Sequence, residues 1–172
     1  MARVIFITGG ARSGKSRLAE SIAEELGSPL CYIATAQAKD TEMAKRIAAH
    51  RVRRGDVWQT VEEPLELARA ISSPDGEYGA IMVDCITLWI SNLLLLHNDP
   101  YLVLKEVRAL ANLFPALETD LILVSNEVGM GIVPENALAR TFRDLAGETN
   151  EILAAAADEV HLLFSGIPLR LK

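Results

Sequence analysis

Near its N-terminus the chain reads Gly9-Gly10-Ala11-Arg12-Ser13-Gly14-Lys15-Ser16, directly after the apolar run Val4-Ile5-Phe6-Ile7 and directly before a segment of helical period. This matches the pattern G-x-x-x-x-G-K-[ST] in the context that gives it meaning, a strand that turns through glycines into a helix. The order follows from physics. Glycines let the backbone fold around phosphates with successive N–H groups pointing inward. The start of the helix adds a favourable partial positive charge. The Lys15 ammonium would reach the β- and γ-phosphates, and the Ser16 hydroxyl would ligate Mg2+. The competing explanation is a glycine-rich turn that carries Lys-Ser by chance, and the flanking strand and helix argue against it. The sequence therefore predicts an α/β P-loop fold that binds a nucleoside triphosphate.

The rest of the chain suits that fold. Apolar runs of strand length alternate with helix-period segments, the βαβ signature. Strands are expected at residues 3–8, 30–35, 80–84, 121–126 and 159–165, with a short last strand at 168–171 pairing back through the Ser165-Gly166 turn. Most are almost continuously apolar, as strands covered on both faces of a parallel sheet are. Helices are expected at 16–26, 41–54, 64–71 and 102–114, and the stripe Leu138, Phe142, Leu145, Thr149, Ile152 marks a long one near the C-terminus. At 172 residues without repeats, one domain spanning 1–172 is expected.

Composition removes some classes of function. With 17 basic and 23 acidic residues the net charge is −6, which disfavours sequence-independent binding to nucleic acid. The longest stretch without a formal charge, from Cys85 to Asn98, is too short to span a bilayer, which takes roughly 20 apolar residues. No membrane insertion is expected. Cys31 and Cys85 each sit in an apolar stretch and suit a reducing compartment, so a cytoplasmic protein is expected.

Three further places bear on chemistry. Asp84 closes the apolar run Ala80-Ile81-Met82-Val83 and fits a second metal-side acid, with Ser16 as its partner. It also fits an N-cap for a helix beginning near Ile86. His50 is followed by Arg51, Arg53 and Arg54 and preceded by Arg46. Such a histidine can attack phosphorus, because the cations keep an imidazole nitrogen unprotonated and then stabilise the developing charge. A solvated basic helix face explains the same residues, and composition leaves the two open. His97 reads as part of a polar turn, and His161 as a residue of the last apolar strand. Finally, Asn126-Glu127-Val128-Gly129-Met130-Gly131-Ile132-Val133-Pro134-Glu135-Asn136 follows a strand, where open α/β sheets bind ligands. It reads either as a mobile connection or as a substrate lid, with Pro134 expected in the first turn of the next helix.

Together these stretches, with Tyr32-Ile33-Ala34-Thr35, Glu42 to Ile47, His50-Arg51, Asp84-Cys85-Ile86-Thr87, Ala154 to Val160 and Ser165-Gly166-Ile167, closely resemble the bifunctional adenosylcobinamide kinase / adenosylcobinamide-phosphate guanylyltransferase family of cobalamin biosynthesis. The resemblance covers nearly the whole chain in the family's order. It implies a RecA-like, mostly parallel sheet with helices on both faces and an antiparallel C-terminal strand, in a homotrimer. It implies two reactions. A nucleoside triphosphate, ATP or GTP, phosphorylates adenosylcobinamide; GTP and the resulting phosphate then give adenosylcobinamide-GDP and pyrophosphate through a guanylylated histidine, which falls on His50. Nucleotide contacts fall on Gly9 to Ser16, on Ala34, Thr35 and Ala36, on Arg51, Val52, Arg53 and Arg54, on Glu62 and on Asp84. Simpler readings are a P-loop small-molecule kinase without nucleotidyl transfer and a RecA-like nucleotide switch. These differ in what His50→Ala would abolish.

Overall fold

The computed structural model describes residues 2–36 and 55–172. Along the chain run β1 (Val4–Gly9), α1 (Lys15–Leu26), β2 (Leu30–Ala34), β3 (Trp58–Glu62), α2 (Leu67–Ser72), β4 (Ala80–Asp84), α3 (Ile86–His97), α4 (Pro100–Leu113), β5 (Asp120–Val124), α5 (Ala137–Ala156), β6 (Glu159–Phe164) and β7 (Ile167–Arg170). The strands form one sheet in the order β3-β2-β4-β5-β1-β6-β7. Every described pairing is parallel except β6 with β7, where His161 to Phe164 run antiparallel to Arg170 to Ile167.

The near-continuous apolar runs are buried on both faces because successive side chains serve two cores. Val4 and Phe6 of β1, Ile81 and Val83 of β4, and Leu121 and Leu123 of β5 pack with Trp89, Val103, Leu110 and Leu145 of α3, α4 and α5. Their neighbours Ile5, Ile7, Met82, Ile122 and Val124 face the other way, onto Ala19 and Ala23 of α1. Asp84 follows Met82 by two residues and so shares the α1 side, which is what brings an acid to the start of that helix.

The structure departs from expectation in three places. Residues 58–62 form an edge strand, β3, where none was predicted. His97 ends α3 instead of lying in a turn; the turn begins at Asn98, left-handed at φ 49°, whose N–H donates to the Leu94 carbonyl. Pro134 precedes α5 without joining it, since Asn136 is the N-cap and its side chain accepts from the Ala139 amide. The expected helix at 41–54 lies outside the described residues.

Candidate active site

Because β1 to β6 run parallel, their carboxyl ends share one edge of the sheet, and those residues singled out from the sequence that the structure describes lie along it. The P-loop leaves β1 at Gly9, whose backbone could carry no other side chain. Its φ is +151°, and an added Cβ would collide with the Leu163 carbonyl oxygen of β6. Gly14, at φ 95°, starts α1 from the left-handed region.

Inside the loop, Lys15 is 7% exposed. Its ammonium donates to the Gly10 carbonyl at 2.6 Å and reaches Ser13 Oγ at 3.5 Å. Burial lowers its pKa from the ordinary lysine value, with the Asp84 carboxylate pulling the other way. An ammonium curled onto the loop's own carbonyl is what a phosphate would draw outward. One residue on, Ser16 Oγ donates to Asp84 Oδ2 at 2.8 Å. That contact joins the start of α1 to the end of β4 across β5. A hydroxyl and a carboxylate so placed are hard oxygen donors on the phosphate side. They fit Mg2+, which takes one or two protein oxygens and fills its shell with water and substrate phosphate. The N-cap alternative for Asp84 does not hold: Cys85 occupies the N-cap position of α3 and makes no side-chain cap bond.

Thr35, fully buried, turns out to hold Asp84 in place. Its hydroxyl donates to the Cys85 carbonyl at 2.7 Å and accepts from the Cys85 amide at 2.9 Å, and its own amide donates to the Asp84 carbonyl at 3.3 Å. Asn92 of α3 donates in turn to the Thr35 and Pro64 carbonyls. Ala34 pairs with Asp84 on one side and with Glu62 on the other. Glu62 therefore stands four strand spacings from β1, roughly 19 Å. Ala36, the last described residue before position 55, is also at this edge. His50, Arg51, Val52, Arg53 and Arg54 lie outside the described residues. Cys85 sits beside the loop but is no nucleophile, since burial, with Asp84 adding to it, pushes its thiol up to about 11.

Two features escaped sequence reasoning. One is a polar girder beneath the loop that follows β5. Thr87 and Ser125 hydroxyls lie 3.2 Å apart, Ser125 Oγ donates to Asn150 Oδ1 at 2.6 Å, and the Asn126 amide donates to Thr87 Oγ1 at 2.6 Å. Only Thr87, a single polar residue between Ile86 and Leu88, hinted at it. The other is a cleft of about 320 Å3 between Gly10, Ala11, Arg12 and Ser13 and the Leu163-Phe164-Ser165 turn. In the loop that follows β5, Met130 and Ile132 are largely exposed.

Comparison with known proteins agrees with this geometry. Residues 5–171 match the cobinamide kinase / cobinamide phosphate guanyltransferase family. The chain is 48% identical to the bifunctional adenosylcobalamin biosynthesis protein CobP of Pseudomonas aeruginosa, over 96% of this chain and 95% of that one. It is 45% identical to CobU of Salmonella typhimurium and 42% to CobU of Escherichia coli, each over 98% of this chain and 99% of the relative. Among solved structures, a KaiC-like protein from Pyrococcus horikoshii superposes with a TM-score of 0.51 at 13% identity, covering 93% of this chain and 70% of that one. The P4 protein of bacteriophage phi6, in complex with ADP, does so with a TM-score of 0.51 at 15% identity, covering 98% and 54%. These two share the fold, a P-loop NTPase sheet. With a match of nearly full length and the P-loop facing Asp84, the chain belongs to the cobinamide kinase / cobinamide phosphate guanyltransferase family.

Proposed function

We propose that this chain, as one catalytic domain, phosphorylates adenosylcobinamide and then transfers GMP from GTP to the phosphorylated product through His50. The contact between Ser16 and Asp84, 2.8 Å long beside a buried Lys15, supports the first step most directly. In that step the loop amides and Lys15 hold the triphosphate of ATP or GTP and offset charge on the transferring group. Ser16 and Asp84 are the oxygens that would hold Mg2+, which when bound neutralises the β- and γ-oxygens. The substrate hydroxyl attacks the γ-phosphorus in line.

In the second step the His50 imidazole attacks the α-phosphorus of GTP. A P–N bond forms and the bond to pyrophosphate breaks. An oxygen of cobinamide phosphate then displaces GMP from the histidine, so each of two difficult anion encounters is handled in turn. Arg51, Arg53 and Arg54 would stabilise the charge that develops, with Val52 between them, while Ala34, Thr35, Ala36 and Glu62 would take the nucleoside end. The chain leaves β2 after Ala34, at the same edge as the loop, and His50 follows in sequence. The working unit is a cytoplasmic homotrimer. Buried, unpaired Cys31 and Cys85 suit that compartment, and among the described residues no helix is long and apolar enough to cross a membrane.

The test is incubation with GTP labelled at the α-phosphate, followed by denaturation. Protein-bound label that is acid-labile and alkali-stable, and that disappears in His50→Ala, is expected. Full labelling of His50→Ala would overturn the assignment, and no cobinamide-dependent turnover of ATP or GTP by the unaltered protein would overturn the kinase half.

A further inference from the structure

We propose that Glu127 is the general base of the phosphorylation step, taking the proton of the substrate hydroxyl as that oxygen attacks the γ-phosphorus; this rests on the kinase half of the function proposed above. The sheet order carries the first part of the argument. β5 lies between β1 and β4, so the chain leaving it emerges between the P-loop and Asp84. There the Ser125 amide donates to the Ile7 carbonyl and the Glu127 amide to the Gly9 carbonyl, both at 2.9 Å. Glu127 is thus fastened to the first residue of the P-loop, on a floor made rigid by Thr87, Ser125 and Asn150.

Among the described residues, the carboxylates at the ends of β3 and β4 are engaged or remote. Asp84 accepts from Ser16. Glu63 accepts from the Leu65 and Glu66 amides at the start of α2. Glu62 is four strands from β1. Glu127 is half-buried and accepts one hydrogen bond on Oε1, from the Gly129 amide at 2.6 Å. Among the described residues no bond is made to Oε2, which is the oxygen assigned to the proton. Gly129 itself fits the arrangement, because a Cβ there would stand 3.0 Å from Glu127 Oε1.

The chemistry says when such a base is needed. In phosphorylation an O–P bond forms, the bond from the γ-phosphorus to the β,γ-bridging oxygen breaks, the nucleoside diphosphate leaves with the electron pair, and the hydroxyl proton passes to Glu127. In guanylyl transfer the attacking oxygen belongs to a phosphate and has no proton to lose. One carboxylate should therefore separate two reactions of one protein.

Glu127→Gln tests this, since the amide oxygen still accepts from Gly129 while the basic oxygen is gone. The full-length protein is assayed with cobinamide for phosphorylation and, separately, with cobinamide phosphate and GTP. Expected is a fall in phosphorylation kcat of about 100-fold or more, a nucleotide KM within about threefold, and a loss of guanylyl transfer below about tenfold. Phosphorylation kept within about threefold would overturn the assignment, and so would equal losses in both reactions, which mark a structural role. Unaltered protein inert towards cobinamide would instead overturn the proposed function, and the base with it.

Discussion

Lys15 is a cation held away from water with a carbonyl and a hydroxyl for partners. Its folded-state pKa lies below the unfolded value of 10.5, with burial as the main cause. Between those two values the unfolded chain binds more protons than the folded one, so stability rises with pH through that window. Lys15 thus costs stability at neutral pH, and the cost fades as pH approaches 10.5. Without nucleotide, Lys15→Met should melt no earlier than the unaltered protein at pH 7.5, and the difference should move in favour of the lysine as pH rises. With ATP and Mg2+ the unaltered protein should gain several degrees, as a ligand that binds only the folded state requires, and Lys15→Met should gain almost nothing. Thermal melts at pH 7.5, 8.5 and 9.5 check both parts. An earlier melt of the variant at pH 7.5, with no pH trend, would count against the account. Lys15 and Ser16 stand out in the sequence because the loop motif sets residue types at fixed spacing, and Asp84 because it closes an apolar strand; that Ser16 and Asp84 meet depends on the strand order. Thr35 falls at the end of the expected strand 30–35, but that its hydroxyl is occupied by the Cys85 backbone depends on which strands are neighbours, and no local pattern carries that.

At the scale of elements, what sets the site is the girder under the exit of β5. Thr87 comes from the first turn of α3, Ser125 from the end of β5 and Asn150 from α5, so three elements meet through hydroxyls and an amide in a nearly water-free place. Thr87 and Ser125 are 6% and 1% exposed. Removing the Thr87 hydroxyl leaves the Asn126 amide without its acceptor and the Ser125 hydroxyl with Asn150 alone, at a cost of about 1–3 kcal/mol. Thr87→Val should lose that much in urea unfolding. It should also slow phosphorylation more than it weakens nucleotide binding, because the Asn126 amide loses its acceptor while the P-loop keeps its own bonds. A variant with unchanged stability, or one that loses nucleotide affinity first, would contradict this. The elements themselves were unevenly legible. β1, β2, β4 and β5 announced themselves because burial on both faces demands unbroken apolar runs. β3 did not: at the sheet's edge Trp58 is buried, Gln59 and Glu62 are exposed, and a run half polar reads as loop. α3 was obscured for the opposite reason. With Trp89, Ile90, Leu93 and Leu94 buried and Leu95 and Leu96 exposed, it is apolar nearly all round and shows little helical period.

Taken whole, the molecule ends on a surface that a lone chain explains poorly. Antiparallel pairing of Phe164 with Ile167 and of Leu162 with Leu169 sets these side chains on one face of the β6–β7 hairpin. Phe164 and Ile167 are 71% and 70% exposed, with Leu169 and Leu171 more than half exposed. β7 is also the last strand of the sheet. An apolar strand left open at an edge invites pairing or aggregation unless another chain covers it. Phe164 also lines the cleft against Gly10, Ala11, Arg12 and Ser13, so whatever covers the hairpin borders the nucleotide loop. If the proposed trimer buries this face, light scattering should return three times the 18.7 kDa chain mass. The double change Phe164→Glu with Leu169→Glu should then release single chains. Both side chains are already in solvent, so the released chain should keep its fold by circular dichroism. Its phosphorylation rate per chain should fall, because one wall of the cleft has been lost. Trimers persisting in the double variant would place the subunit contact elsewhere. Single chains with full activity would separate assembly from the site, leaving the exposed hairpin without a catalytic reason to be covered.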